Sequence, residues 1–156
     1  MRVGIISDTH NILPGQIFDI FKDVDCIFHA GDIGSADVIQ GLEIIAPVYA
    51  VYGNVDSWPL NIKHKDLLVQ QVGDFHFCLV HDILRPEYFS FQLFKKNLSV
   101  DVVIHGHTHV AGYKFYRDVL YINPGSVSKP RQRKKGTVAI LDLDKQPLRP
   151  EIIELD

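Results

Sequence analysis

Cysteine is scarce in this 156-residue chain, and the two that occur, Cys26 and Cys78, each lie inside an apolar run. Neither belongs to a C-x-x-C pair or other zinc-type spacing, so both are expected to be buried core thiols. No apolar stretch approaches the length of a membrane span, and the N-terminus enters strand-like sequence at Arg2 without the pattern of a signal peptide. The expected location is therefore a reducing cytoplasm, with no membrane partner. Excess positive charge is also lacking: 16 basic against 19 acidic residues give a formal net charge of −3. That balance disfavours a protein held to nucleic acid by bulk electrostatics, and any anionic substrate must be attracted locally. Repeats, low-complexity tracts and Gly/Ser-rich linkers are absent too. A chain of this length with 46% hydrophobic content can bury one ordinary core, so a single domain over residues 1–156 is expected.

What the chain does contain is alternation. Arg2–Ser7, Cys26–Ala30 and Pro47–Tyr52 read as strands, separated by a helix over Pro14–Lys22 and another that Ser35 can cap, running to about Ile45. A β-α-β-α-β order implies parallel strands. The second half reads differently. Asp66–Val72 and Phe75–Val80 flank a Gly73-Asp74 turn, a helix is expected over Glu87–Asn97, and Asp101–His105 forms a short strand. Gly112–Tyr116 and Val119–Ile122 make a hairpin about Arg117-Asp118, and Thr137–Leu143 and Glu151–Leu155 complete the set. Many strands with three helices point to an α/β fold of two packed β-sheets flanked by helices.

Polar residues of metal-ligand type recur where these strands end: Asp8 and His10, Asp32, Asn54, His81, then His107 and His109. Loops at the carboxyl ends of parallel strands gather on one edge, where ligands bind. Asp8, Asp32 and Asn54 follow three such strands, and the histidines of the second half join them if the second sheet packs face to face with the first. In D-x-H and H-x-H, alternate residues of extended backbone would point the same way. Each motif alone is weak; Gly106-His107-Thr108-His109 is the strongest, and the order of all five raises the whole above its parts.

In that order, D-x-H, G-D, G-N-x-D, a lone His and G-H-T-H resemble the calcineurin-like metallophosphoesterases, and more specifically their small single-domain phosphodiesterase branch (YfcE-type). The similarity runs from Ile6-Ser7-Asp8-Thr9-His10 through Asn123-Pro124-Gly125-Ser126. It implies the αββα sandwich and a metal-dependent phosphodiesterase. Asp8, His10 and His109 would hold one divalent ion, Asn54, His81 and His107 the other, and Asp32 would bridge them. Asp32, Asn54 and His107 form the implied catalytic set. Two cations roughly 3.5–4 Å apart would lower the pKa of a shared water for in-line attack on a small phosphodiester. Manganese is favoured by the resemblance, and the nitrogen and oxygen donors equally accept nickel, iron, cobalt or zinc. A phosphomonoesterase, or an enzyme acting on a nucleotide or nucleic acid, shares the same metal chemistry, with nucleic acid not favoured. The third reading is a protein-binding scaffold like the retromer subunit that shares this fold. A homo-oligomer is compatible with all three.

Two departures from the family pattern stand out. Many relatives carry a histidine directly after the Asn of G-N-x-D; here Val55 occupies that place, removing a proton donor worth on the order of 10²–10⁴-fold for poor leaving groups. After His81, the usual glycine and histidine are replaced by Asp82 and Ile83, with Asp82 read evenly as an imidazole-orienting group or a solvated carboxylate. Asp56 is expected to tie down its loop through backbone hydrogen bonds. His29 and His105 are expected as core or supporting groups, His64 and His76 at the surface or in the hairpin, and Trp58 and Tyr88 in packing. The basic run Lys129–Lys135 reads chiefly as a mobile, solvated connector. Its functional reading is a positive wall beside the metals, with Arg131 as the substrate contact, because arginine binds phosphate bidentately.

Overall fold

In the computed structural model, which describes every residue except Arg133, ten strands form two five-stranded sheets. The first has the order β10 (Glu151–Glu154), β9 (Thr137–Asp142), β1 (Arg2–Ile6), β2 (Cys26–His29), β3 (Val48–Ala50). Its β1, β2 and β3 are parallel as the alternation implies, while β9 and β10 add antiparallel strands that make the sheet mixed. The second runs β4 (Leu67–Val72), β5 (Phe75–Val80), β6 (Val102–Ile104), β8 (Val119–Asn123), β7 (Gly112–Tyr116), with β5, β6 and β8 parallel and a hairpin partner at each edge.

The two-residue period of a strand sorts the apolar side chains into layers. Val3 and Ile5 of β1, Phe28 of β2 and Leu141 of β9 meet Phe77, Leu79, Ile104 and Ile122 between the sheets. The Phe28 and Phe77 rings stack across this interface with centroids 5.0 Å apart. The alternate residues face outwards and are covered by helices. Ile27 and Ile140 pack under α1 (Gln16–Ile20) and α2 (Ala36–Glu43), while Cys78, Val103 and Tyr121 pack under Phe89 and Leu93 of α4 (Pro86–Lys95). Because both faces are covered, β1, β2, β6 and β8 read as nearly continuous apolar runs. Cys26 and Cys78 are free thiols buried in these layers, and burial holds them at about 11 and about 12.

Several local expectations are corrected. A single-turn helix α3, Leu60–Lys63, follows Pro59, anchored by Leu60 alone, and one buried residue in four leaves no periodic signal. Ser35 occupies the N-cap position of α2 in extended backbone, yet its side chain makes no capping bond. The first helix is only five residues long, since Phe21 leaves helical geometry to pack its ring beneath Gly4. No helix among the described residues is long and apolar enough to cross a membrane.

Removing the Phe77 ring takes away a stacking partner and opens a cavity between two sheets that cannot both collapse onto it. Phe77→Ala is expected to cost roughly 3–5 kcal/mol of unfolding free energy in urea titration. A loss below about 1 kcal/mol would show that the inter-sheet layer is not the main core.

Candidate metal centre

Five strand ends deliver the site. Asp8 and His10 follow β1, Asp32 follows β2, Asn54 follows β3, His81 follows β5, and His107 and His109 follow β6. All seven converge, in two groups that share one carboxylate. Ligand atoms of Asp8, His10, Asp32 and His109 lie within 4.8 Å of one another. On the other side, Asn54 Oδ1 stands 3.0 Å from His81 Nε2 and 2.9 Å from His107 Nδ1. Asp32 faces both groups, its Oδ2 lying 3.8 Å from His10 Nε2 and its Oδ1 3.3 Å from His81 Nε2. His107 and His109 therefore part company, one turning to each group, and their rings pair with His81 and His10 respectively.

The backbone that achieves this is not the extended chain expected for D-x-H and H-x-H. Asp8, His10, Asp32, His107 and His109 all adopt left-handed geometry, with φ of 53°, 45°, 52°, 66° and 59°. Non-glycine residues occupy that region at a cost of order 1–3 kcal/mol each and cluster at functional sites. Two motif glycines are explained by the same crowding. A Cβ at Gly53 would overlap the Asp32 carboxylate, and one at Gly106 would overlap the Ser7 hydroxyl and stand 2.6 Å from Asp8 Oδ2.

Hydrogen bonds then set which ring nitrogens are free. His81 Nδ1–H donates to the Ala30 carbonyl at 2.7 Å and His109 Nδ1–H to the Lys129 carbonyl at 2.8 Å, which leaves each Nε2 with its lone pair pointing into the site. His109 Nε2 is 3.0 Å from Asp8 Oδ1, so two acceptors confront each other there. Asp8 Oδ1 and His10 Nε2 are both fully buried without a hydrogen-bond partner among the described residues. Buried lone pairs facing one another are costly unless a cation satisfies them, and nitrogen and oxygen donors without thiolate fit a divalent metal.

Charge in the metal-free site follows from the same contacts. Burial pushes the Asp8 carboxyl up, partly offset by the Ser7 hydroxyl, and pulls the His10 imidazole down. Burial also works against the charge on Asp32, but His81 and the Val55 amide outweigh it and hold this carboxyl below its usual range. His81 is the converse: burial opposes its proton, while Asp32 and the Ala30 carbonyl prevail and raise its pKa.

A supporting layer, largely unseen in the sequence, fixes the loops. Ser7 Oγ donates to Asp8 Oδ2 at 2.6 Å, and Ser126 Oγ to the Asp8 carbonyl at 2.9 Å. His29, wholly buried and held at about 3 by burial, is neutral; it accepts from the Gly31 amide at Nδ1 and donates from Nε2 to Thr9 Oγ1, which in turn donates to the Ile33 carbonyl. Asn123 Nδ2 donates to the Gly106 carbonyl and to Thr108 Oγ1, both at 2.9 Å, bracing the His107–His109 loop. Asp56 acts as expected, accepting the amides of Ile33, Gly34 and Gly53 at 2.8–3.0 Å.

Other readings shift. Asp82 is exposed; its Oδ1 accepts the Leu84 amide at 2.9 Å, and its Oδ2 lies 3.8 Å from His107 Nε2, near the imidazole but beyond hydrogen-bond distance. The start of the basic run is pinned beside the site, through the Lys129 carbonyl on His109 and the Arg131 amide on the His109 carbonyl at 3.3 Å, and is not a free connector. The Arg131 side chain is exposed there, and Arg133 of the same run lies outside the described residues. His76 is exposed in the hairpin, but His64 is half-buried with its Nε2 unpartnered among the described residues, and Trp58 stands 79% exposed instead of packing.

Known proteins resemble this chain in sequence and in fold. The model of the calcineurin-like phosphoesterase superfamily domain matches residues 1–146. A protein of Methanocaldococcus jannaschii named as a probable metallophosphoesterase is 37% identical over 153 residues, 93% of this chain and 78% of the relative. A phosphodiesterase of the same organism is 32% identical over 170 residues, covering 99% of this chain and all of the relative. Vps29 of Entamoeba histolytica, solved in complex with zinc, superposes with a TM-score of 0.77 at 19% identity over the full length of both chains, which speaks to the fold alone.

Asp56 joins the Asp32 and Asn54 loops through the buried amides of Ile33 and Gly53 and the part-buried amide of Gly34, and Asp56→Ala would leave the two buried ones unpaired. A loss of about 2–4 kcal/mol is expected from urea unfolding of the metal-free protein. A change under about 1 kcal/mol would mean that water replaces the carboxylate without penalty.

Proposed function

Because the chain belongs to the calcineurin-like phosphoesterase superfamily, we propose that it is a phosphodiesterase working at a centre of two divalent cations. Asp8, His10 and His109 would hold one, Asn54, His81 and His107 the other, and Asp32 would serve both. The observation that carries this reading is the split of Asp32, one carboxylate oxygen turned to each group. Asn54 suits the second group because it brings an oxygen donor without a second negative charge, so the centre stays positive toward an anionic substrate. When bound, the cations supply Lewis-acid stabilisation of phosphoryl charge and lower the pKa of a water.

The residues around the centre define the rest of the chemistry. The bonds from His81 and His109 to main-chain carbonyls keep both rings oriented and in the tautomer a cation needs. No imidazole follows Asn54: Val55 is half exposed, and its amide is spent on Asp32 Oδ1 at 3.1 Å. A leaving alcohol therefore departs on its own acidity or takes a proton from water, which favours aryl esters. The phosphodiesterase among the relatives supports the choice of diester over monoester. Manganese is the metal favoured by family resemblance, and Arg131 would meet a phosphoryl oxygen, a role supported by its main-chain bond to the His109 carbonyl.

Metal analysis of manganese-loaded protein is expected to give about two ions per chain. Asp32→Ala should empty both positions, whereas Asn54→Ala should weaken mainly one. Retention of near-normal metal content and activity by Asp32→Ala would end the shared-carboxylate assignment. Since a proton and a cation compete for His81 Nε2, whose pKa is raised, metal uptake should weaken as pH falls, and begin to do so at a higher pH than for an ordinary imidazole.

Aryl phosphodiesters should be turned over faster than alkyl diesters by the manganese-loaded protein, and Val55→His should narrow that gap by up to roughly 10²-fold. Turnover insensitive to leaving-group pKa, with chemistry rate-limiting, would contradict the account of Val55.

A further inference from the structure

Beside the second group of residues the surface opens into a cleft of about 690 Å³, a volume suited to an organic substituent and not to phosphate alone. Its inner end is formed by Asn54, His81 and Asp82, and its walls by Tyr52, Leu67, Val80 and Leu98, which are mostly apolar. It runs between the end of β3, the paired ends of β4 and β5, and the segment after α4. Three charged side chains line it, Asp66, Asp82 and Lys96, and Asp82 alone among these makes a described contact with the site, through His107.

Asp82 is held in place. Its Oδ1 is anchored on the Leu84 amide at 2.9 Å, in a turn that Leu84 completes with φ of 59°, so Oδ2 stays directed at the His107 side of the centre. The carboxylate thus adds fixed negative charge where a substrate's ester group must pass. A phosphodiester meets it with one negative charge on phosphorus, a phosphomonoester dianion with two. Across a partly solvated gap of several ångströms, one extra unit of like charge costs on the order of a tenfold loss in binding.

We propose that this cleft is the subsite for the uncharged, apolar ester group of the substrate, and that Asp82 makes it select against phosphoryl dianions. This rests on the phosphodiesterase reading above, and names within it a substrate class: diesters with at least one apolar substituent of aryl size. Asp66 and Lys96, of opposite sign on the same walls, add no net charge to the selection.

The test is calorimetric binding to the manganese-loaded protein of three anions whose carbon–phosphorus bonds cannot be hydrolysed: diphenylphosphinate, dimethylphosphinate and phenylphosphonate, at a pH where the last is a dianion. Wild type should bind diphenylphosphinate at least tenfold tighter than dimethylphosphinate, and Leu98→Trp, which narrows the cleft, should erase most of that difference. Asp82→Asn, which can still accept the Leu84 amide, should tighten phenylphosphonate by roughly tenfold and leave diphenylphosphinate within about twofold. Equal affinities of wild type for the two phosphinates would overturn the subsite, and an unchanged phenylphosphonate affinity in Asp82→Asn would overturn the charge filter. Metal-loaded wild type that binds none of the three and cleaves no aryl ester would instead overturn the phosphodiesterase reading beneath both.

Discussion

The arrangement depends on placing one carboxylate, Asp32, where loops from both sheets meet. Asp32 is nearly inaccessible and confronts His10 on one side and His81 on the other. His10 belongs to the first sheet and His81 to the second, so Asp32 can take this position only if the two sheets pack in one fixed relation. That relation is set by the interlocked apolar layer around Phe28 and Phe77, a close-packed interior that is not continuously deformable. Gly53 has no side chain because Asp32 occupies the space, and Asp56 gathers the Ile33, Gly34 and Gly53 amides around the same carboxylate. Packing, loop sequence and site chemistry thus answer to a single position.

Much of this was readable from the chain. Strands buried on both faces are apolar at nearly every position, so β1, β2, β6 and β8 were legible as runs, and the Gly73-Asp74 and Arg117-Asp118 turns marked where both hairpins reverse. The seven site residues were legible because each lies close after such a run: His81 directly follows β5, and the others stand two to five residues beyond their strands. What stayed hidden has no period or composition of its own. A one-turn helix such as Leu60–Lys63 buries a single residue, and the left-handed backbone of Asp8, His10, Asp32, His107 and His109 is imposed by tertiary contacts that no local preference reveals. Ser7, Thr9 and Ser126 were equally invisible as supports, since their role depends on partners far away in sequence, such as the 118 residues separating Ser126 from Asp8. Asp56 and His29 were expected as supports, and Asn123-Pro124-Gly125-Ser126 was noticed as a motif before its bracing of Gly106 and Asp8 had a reason.

The basic run illustrates how composition misleads about placement. Five cations in seven residues suggest a solvated connector, because like charges repel and seek water. Main-chain groups decide otherwise: the Lys129 carbonyl is needed to orient His109, and Ser126 Oγ accepts the Lys129 amide while donating to the Asp8 carbonyl. The Lys129 and Arg131 charges follow that backbone toward the site. In a chain of net charge −3, this supplies the local positive potential that the overall composition lacks.

The balance between catalyst and scaffold turns on what the strained loops hold. Five non-glycine residues in left-handed geometry, together with buried Asp8 Oδ1 and His10 Nε2 lacking partners, amount to a cost that the fold sustains around one small volume. Cation binding offsets that cost, which accounts for metal affinity but would do so equally in a scaffold. The surroundings make the difference. His107 is half-buried, and the neighbouring cleft with mostly apolar walls carries Asp82, a departure from the family pattern whose Oδ2 lies 3.8 Å from the same imidazole. A protein-docking surface has no evident use for a carboxylate beside His107 in such a recess. The proposed phosphodiesterase would have one, because discrimination between one and two negative charges on phosphorus would be made where the phosphoryl group sits.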